Sequence, residues 1–240
     1  MPQWVRRGVW LGLVVLTLVA GAVGSAGLRV AHDDRTPSRS IGRRSAGQLE
    51  HGHVFSPSGP GYVTYTYIGA ALGTQYANGR VRDALVRAFA ARASAVPGAR
   101  YVLGETAVRN GGPFHGHRTH QNGLSADVFM PVRDERGARA QLPTWLWDLG
   151  GYGWDFDAQG VAKGFRIDFD ELGAFLIEVD KQAAWESLAI ERVIITPEFV
   201  PRLLESAHGR ALGSLTAKLT RRPVWVRHDE HVHIDFVVER

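Results

Sequence analysis

Two stretches decide how the chain is read: Gly116-His117-Arg118-Thr119-His120-Gln121-Asn122-Gly123-Leu124-Ser125-Ala126-Asp127-Val128-Phe129, and His228-Asp229-Glu230-His231-Val232-His233. The first leaves a Gly- and His-rich loop and enters a short apolar strand at Ser125; the second leads into a strand that runs to Val238. Gly123 and the β-like run from Asp127 to Met130 argue against a helix here. On one straight strand His120 and Asp127 would lie roughly 23 Å apart on opposite faces. A turn at Asn122-Gly123 brings them together, and glycine supplies the backbone freedom such a turn needs. In His231-Val232-His233 both imidazoles face the same side of a strand, roughly 6–7 Å apart. One of them can bind a metal while the other stands beside it. Two histidines and one carboxylate leave a fourth coordination position open, the arrangement of a catalytic zinc rather than a structural one.

Outward from these motifs, strands and helices are interspersed without regular βαβ units. Alternation from Tyr62 through Val63, Tyr65 and Tyr67 predicts a strand. Gly79 to Val96 reads as a helix with Val81, Leu85, Ala88 and Phe89 on its buried face, stopped by Pro97-Gly98. Strands are expected over Arg100–Val108, Ser125–Val132, Arg192–Thr196, Val224–Val226 and His231–Val238. Asp168 with Glu171 three residues on predicts a helix start of the capping-box kind, and Thr196 with Pro197 another. The fold class is α+β: a small, mostly antiparallel sheet flanked by helices, with a metal cleft on one face. Trp145, Trp147, Trp154 and Phe156 fit either a cleft or, more simply, the core. Glu105 stands at a strand end where it either nears the site or makes a surface hydrogen bond, and His115 reads as a loop residue without a role.

The chain has 240 residues, 45% of them hydrophobic, enough for one domain with a sizeable core. It has no cysteine, which excludes disulfides and thiolate zinc sites, so any metal is held by His and carboxylate. The net charge of +4 suits an anionic neighbourhood, but no Lys/Arg run argues for nucleic acid. Arg6-Arg7, the apolar Val9–Val23 and the small residues Gly24, Ser25 and Ala26 make residues 1–27 a secretory signal or an uncleaved anchor. Membrane contact is therefore expected only through residues 1–27, if they stay attached. Residues 28–60 are polar and read as a linker and a loop leading into the fold; residues 61–240 form the domain.

Together the two His motifs resemble the paired metal motifs of the penicillin-insensitive murein endopeptidases, relatives of lysostaphin, the D-alanyl-D-alanine carboxypeptidases and the hedgehog domain. The resemblance runs from about Gly47 to the C-terminus. It implies one zinc ion per chain held by His120, Asp127 and His233, with His231 as the active-site histidine before the last ligand. His117 and His228 match two further histidines of the site. It also implies a periplasmic or envelope setting and cleavage of the D-alanine–meso-diaminopimelate cross-link between peptidoglycan peptide stems. Ser125 departs from the pattern, standing where many relatives carry an extra acid, and the disulfide cysteines of better-known members are missing. Glu230 lies three residues before His233, a spacing like that of the carboxypeptidase branch, where the Glu is the base. By strand parity Glu230 faces away from His231 and His233, which favours His231 as base; a bend at Glu230 would reverse that choice. The rival expectations are a D,D-carboxypeptidase or dipeptidase using Glu230, and a non-catalytic zinc-bearing cell-wall binding module.

Overall fold

A computed structural model of the chain describes residues 3–33, 36–113, 118–144, 151–222 and 226–239. The apolar N-terminal stretch forms helix α1 (Gln3–Ala31), whose segment Gly12–Ala31 is long and apolar enough to cross a membrane; a signal sequence passes the same test. The stretch read as a linker holds an antiparallel hairpin, β1 (Arg39–Arg43) and β2 (Ala46–Glu50), followed by β3 (His53–Val54) and β4 (Ser58–Gly59). Strand β5 (Tyr62–Thr64) ends before the expected Tyr67. The Thr66 hydroxyl accepts the Ile68 N–H and caps helix α2 (Tyr67–Leu72), which Gly73 closes at φ 81. A local cap here overrides an alternating pattern.

Strand β6 (Tyr76–Ala77) leads to helix α3 (Gly79–Ala95), which buries the expected Val81, Leu85, Ala88 and Phe89, and Ala84 with them. Strand β7 (Tyr101–Leu103) is shorter than expected, because at Gly104 the chain turns to bond with Asp127 instead. The expected strand from Ser125 to Val132 is split into β8 (Ser125–Phe129) and β9 (Val132–Asp134), with Pro131, which has no N–H to give a ladder, between them. Strands β10 (Arg139–Ala140), β11 (Val161–Ala162) and β12 (Phe165–Ile167) form a small sheet with β9. Helix α4 (Phe169–Trp185) starts at the expected cap, Asp168, which accepts the Glu171 N–H at 3.1 Å. Only half of a capping box forms, because the Glu171 carboxylate is taken by Arg92 and Tyr101. Strand β13 (Leu188–Ile194) begins earlier than expected. Pro197–Phe199 makes a 3-10 turn without a Thr196 side-chain cap, then come helix α5 (Val200–Glu205) and β14 (His231–Val238). Val224 and Trp225 of the remaining expected strand lie outside the described residues.

Among the described residues the main sheet has the order β13-β14-β8-β7-β5-β4, antiparallel except between β5 and β7. The chain is α+β, as its patterning predicts. Alternation splits the two central strands into faces. Val232, Ile234 and Phe236 of β14 and Ala126 and Val128 of β8 join one buried cluster with Phe89 of α3 and Phe175 and Leu176 of α4. Phe89 and Phe175 stack with centroids 5.4 Å apart. Each such side chain contributes roughly 1.5–3 kcal/mol by burial, which makes this face the anchor of the sheet. The opposite face carries His231, His233 and Asp235 beside Ser125, Asp127 and Phe129.

Candidate metal centre

The register of two strands builds the centre. His233 of β14 pairs directly with Asp127 of β8, and Asp235 with Ser125. Side chains at such paired positions start about 5 Å apart, so their tips meet without distortion. His233 Nδ1 lies 2.8 Å from Asp127 Oδ1. His120 arrives from the preceding loop through the expected turn: Gly123, at φ 73, donates its N–H to His120 O at 3.2 Å. His120 itself sits at φ 72, a conformation costing about 1–2 kcal/mol for a residue with a Cβ. The turn thereby aims His120 Nε2 to 3.5 Å from Asp127 Oδ1, with its ring 4.7 Å from that of His233.

One donor atom from each of His120, Asp127 and His233 lies within 4.8 Å of the others, and all three residues are buried. Tetrahedral zinc with bonds near 2.1 Å wants donors about 3.4 Å apart. Two imidazoles and a carboxylate are the nitrogen and oxygen donors a cysteine-free catalytic zinc site uses, so the residues fit the ion. Electrostatics agree. Burial alone would raise the Asp127 carboxyl, but His120 and His231 outweigh it and hold it well below the usual range. For His233, burial pulls down while Asp127 and Asp235 pull up, and the balance stands at about 9. The carboxylates of Asp127 and Asp235 therefore favour positive charge at the His233 ring, and a cation taken up beside Asp127 would replace a proton there.

His231 shares the face of His233, as strand parity predicts, with Nε2 3.8 Å from Asp127 Oδ1. Its Nδ1 is 3.0 Å from Glu230 Oε1: Glu230 precedes β14, so strand parity does not govern it, and instead of facing away its carboxylate holds the other side of the ring. Burial lowers the His231 pKa, but Asp127 and Glu230 overcome that and raise it. His228 comes within 4.7 Å of His231, ring to ring. Its Nδ1–H donates to Val226 O at 2.7 Å, which leaves Nε2 bare when the ring is neutral. Burial, then repulsion from His231 and His233, brings its pKa down to about 4.

Several contributors were not singled out from the sequence. Asp235 Oδ1 lies 2.9 Å from His233 Nε2. Its signal was available: His231, His233 and Asp235 share one parity. Tyr152 had none, lying in a Gly-rich stretch without a motif. Its hydroxyl accepts the Glu105 N–H at 3.0 Å and donates to Asp127 Oδ2 at 3.4 Å. Burial, with Asp127 and Glu105 adding, pushes the phenol well up, so it stays protonated. Glu105 reaches this neighbourhood through Tyr152 and through Tyr65, whose hydroxyl donates to it at 2.6 Å. Phe156 is fully buried, and Trp154 packs edge-on against Phe165 at 5.3 Å, so both serve the core. His115, His117, Trp145 and Trp147 lie outside the described residues. A cavity of about 1070 Å³ lies elsewhere, between the end of α1, the β2 strand and the loop around Arg109, and none of the metal donors lines it.

A buried His-Asp-His donor set could hold a metal ion, and the histidine–carboxylate pair alongside could carry a proton, a pairing that hydrolytic centres use. The whole-chain comparison gives the particular family. Residues 40–239 match the model of the penicillin-insensitive murein endopeptidases, and the chain belongs to that family. It is accordingly a peptidase of the cell wall, acting in the envelope. No curated protein matches the chain.

Proposed function

We propose that the chain is a zinc metallo-endopeptidase that hydrolyses the D-alanine–meso-diaminopimelate cross-links of peptidoglycan. The observation that carries this reading is the convergence of buried His120, Asp127 and His233, with His231 3.8 Å from Asp127 on the same strand face. His120, Asp127 and His233 would hold the ion, which when bound supplies Lewis acidity and lowers the pKa of water. His231 is the general base: Glu230 fixes its Nδ1–H, so Nε2 is free to take a proton from the attacking water and return it to the leaving amine. Glu230 then orients a base instead of being one, and its engagement by His231 weighs against the carboxypeptidase reading. His228, with Nε2 bare, accepts a hydrogen bond or proton from its neighbour; it can donate to an oxyanion only after taking that proton. His117 is assigned to the site by family resemblance. Export through residues 1–27, as a cleaved signal or an anchor, would bring the domain to the peptide stems.

The test is to incubate the full chain in mild detergent with purified cross-linked muropeptides, with zinc or with chelator, and to follow products by mass spectrometry. Conversion of dimers to monomers, stopped by chelator and by His233→Ala, is expected. Release of terminal D-alanine alone would move the assignment to a carboxypeptidase. Stoichiometric zinc without any product would leave a binding module.

A further inference from the structure

The metal donors account for only one edge of the His233 ring. The other edge, Nε2, lies 2.9 Å from Asp235 Oδ1, and Asp235 is fully buried. A buried carboxylate needs partners for its oxygens, and this one has several. Ser125, directly opposite on β8, donates its hydroxyl to Oδ1 at 2.6 Å. Arg192 of β13 donates from Nε and Nη2 to Oδ2 at 2.9 and 2.6 Å. Arg44, from the β1–β2 turn, brings Nε to 3.2 Å from Oδ1 and bonds Phe236 O at 3.2 Å. Two guanidiniums, one hydroxyl and one imidazole thus fix the carboxylate plane. An ionised carboxylate so placed can only accept, so the His233 nitrogen facing it must carry the proton. Nδ1 faces the Asp127 carboxylate at 2.8 Å by the same rule, so its proton is the one that a cation shared with Asp127 displaces; with Nε2–H held by Asp235, Nδ1 then offers the lone pair.

We infer that Asp235 is a positioning residue for the metal centre: braced by Arg192, Arg44 and Ser125, it selects the His233 tautomer that offers Nδ1 to the metal. Carboxylates behind metal-bound imidazoles usually contribute 10- to 100-fold in affinity. The inference gives Ser125 a purpose: a hydroxyl opposite Asp235 donates a hydrogen bond where a second acid would repel it. It also gives the N-terminal hairpin a role, since Arg44 braces the centre from a segment whose composition reads as a linker. It rests on the metal-site reading above.

The test measures zinc affinity of the full chain by chelator competition, alongside Asp235→Asn, Asp235→Ala and Ser125→Ala. Asp235→Asn is expected to bind zinc 10- to 100-fold more weakly, and Ser125→Ala by a smaller factor in the same direction. A folded Asp235→Asn chain with unchanged affinity would overturn the inference. Nitrogen NMR of His233 in the parent loaded with cadmium in place of zinc decides the point even if the Asp235 variants fail to fold. A protonated Nε2 and a metal-coupled Nδ1 are expected; coupling at Nε2 would overturn it. If the parent takes up no zinc, it is the metal-site reading that fails.

Discussion

Replacing Gly104 by alanine tests the packing behind the centre. Gly104 follows β7, donates its N–H to Asp127 O at 2.8 Å, and lies against the Asp127 side chain. A Cβ there would stand 2.7 Å from Tyr152 Oη, 2.9 Å from Asp127 Cβ and 3.2 Å from Asp127 O. Carbon atoms at rest are about 3.5–4.0 Å apart. The gap must therefore open by roughly 0.6–1.1 Å on the Asp127 side alone. The tyrosine tip could swing aside only by releasing the Glu105 N–H, and Asp127 Cβ is fixed by the β8 backbone. Overpacking of this kind costs about 1–3 kcal/mol. Alanine also stiffens the unfolded chain, which returns about 0.4–1 kcal/mol. The net expectation is a loss of about 0–2.6 kcal/mol, centred on about 1 kcal/mol, together with weaker zinc binding because Asp127 is pushed. Urea denaturation with chelator present reads the first effect, and chelator competition the second. Adding Tyr152→Phe to Gly104→Ala removes the oxygen but not the Asp127 clash, so it should recover only part. An alanine variant as stable as the parent, with equal zinc affinity, would refute the reasoning.

Three further outcomes are expected. His231→Ala should lower kcat by about 10²–10⁴ with zinc still bound, and Glu230→Gln by a smaller factor; a Glu230→Gln chain that is dead while His231→Ala stays active would reverse the choice of base. Zinc at a hundredfold excess over its Kd should stabilise by about 2.7 kcal/mol, so chelator should lower Tm by about 5–10 °C in a chain of this size, and an unmoved Tm by calorimetry would count against the site. Burial, helped by Glu230, raises the Asp229 carboxyl to about 7. The folded chain then holds this proton more tightly than the unfolded one, so stability falls as pH climbs from about 4 to about 7. Asp229→Asn should remove that slope and gain on the parent between pH 5 and pH 8 in denaturation midpoints; parallel profiles would contradict it.

Local chemistry made much of this protein legible in its sequence. Apolar spacing marked α3 and its buried face, Asp168 marked the start of α4, and parity put His231 and His233 on one side of β14. A glycine turn between His120 and the Asp127 strand followed from Asn122-Gly123. These are relations among residues a few positions apart, where backbone geometry leaves few choices. Errors arose where a cap competed with a pattern, as at Thr66, or where polar composition hid a hairpin, as in β1 and β2. The tertiary structure alone decided that β14 lies against β8 with His233 facing Asp127, and that Tyr152, Arg192 and Arg44 gather behind them. Strand register is set by burial of the opposite face, where Val232, Ile234 and Phe236 meet the helices. A slip of one residue would turn those side chains to the site and the histidines to the core, and no spacing within either strand records which pairing the distant helices enforce.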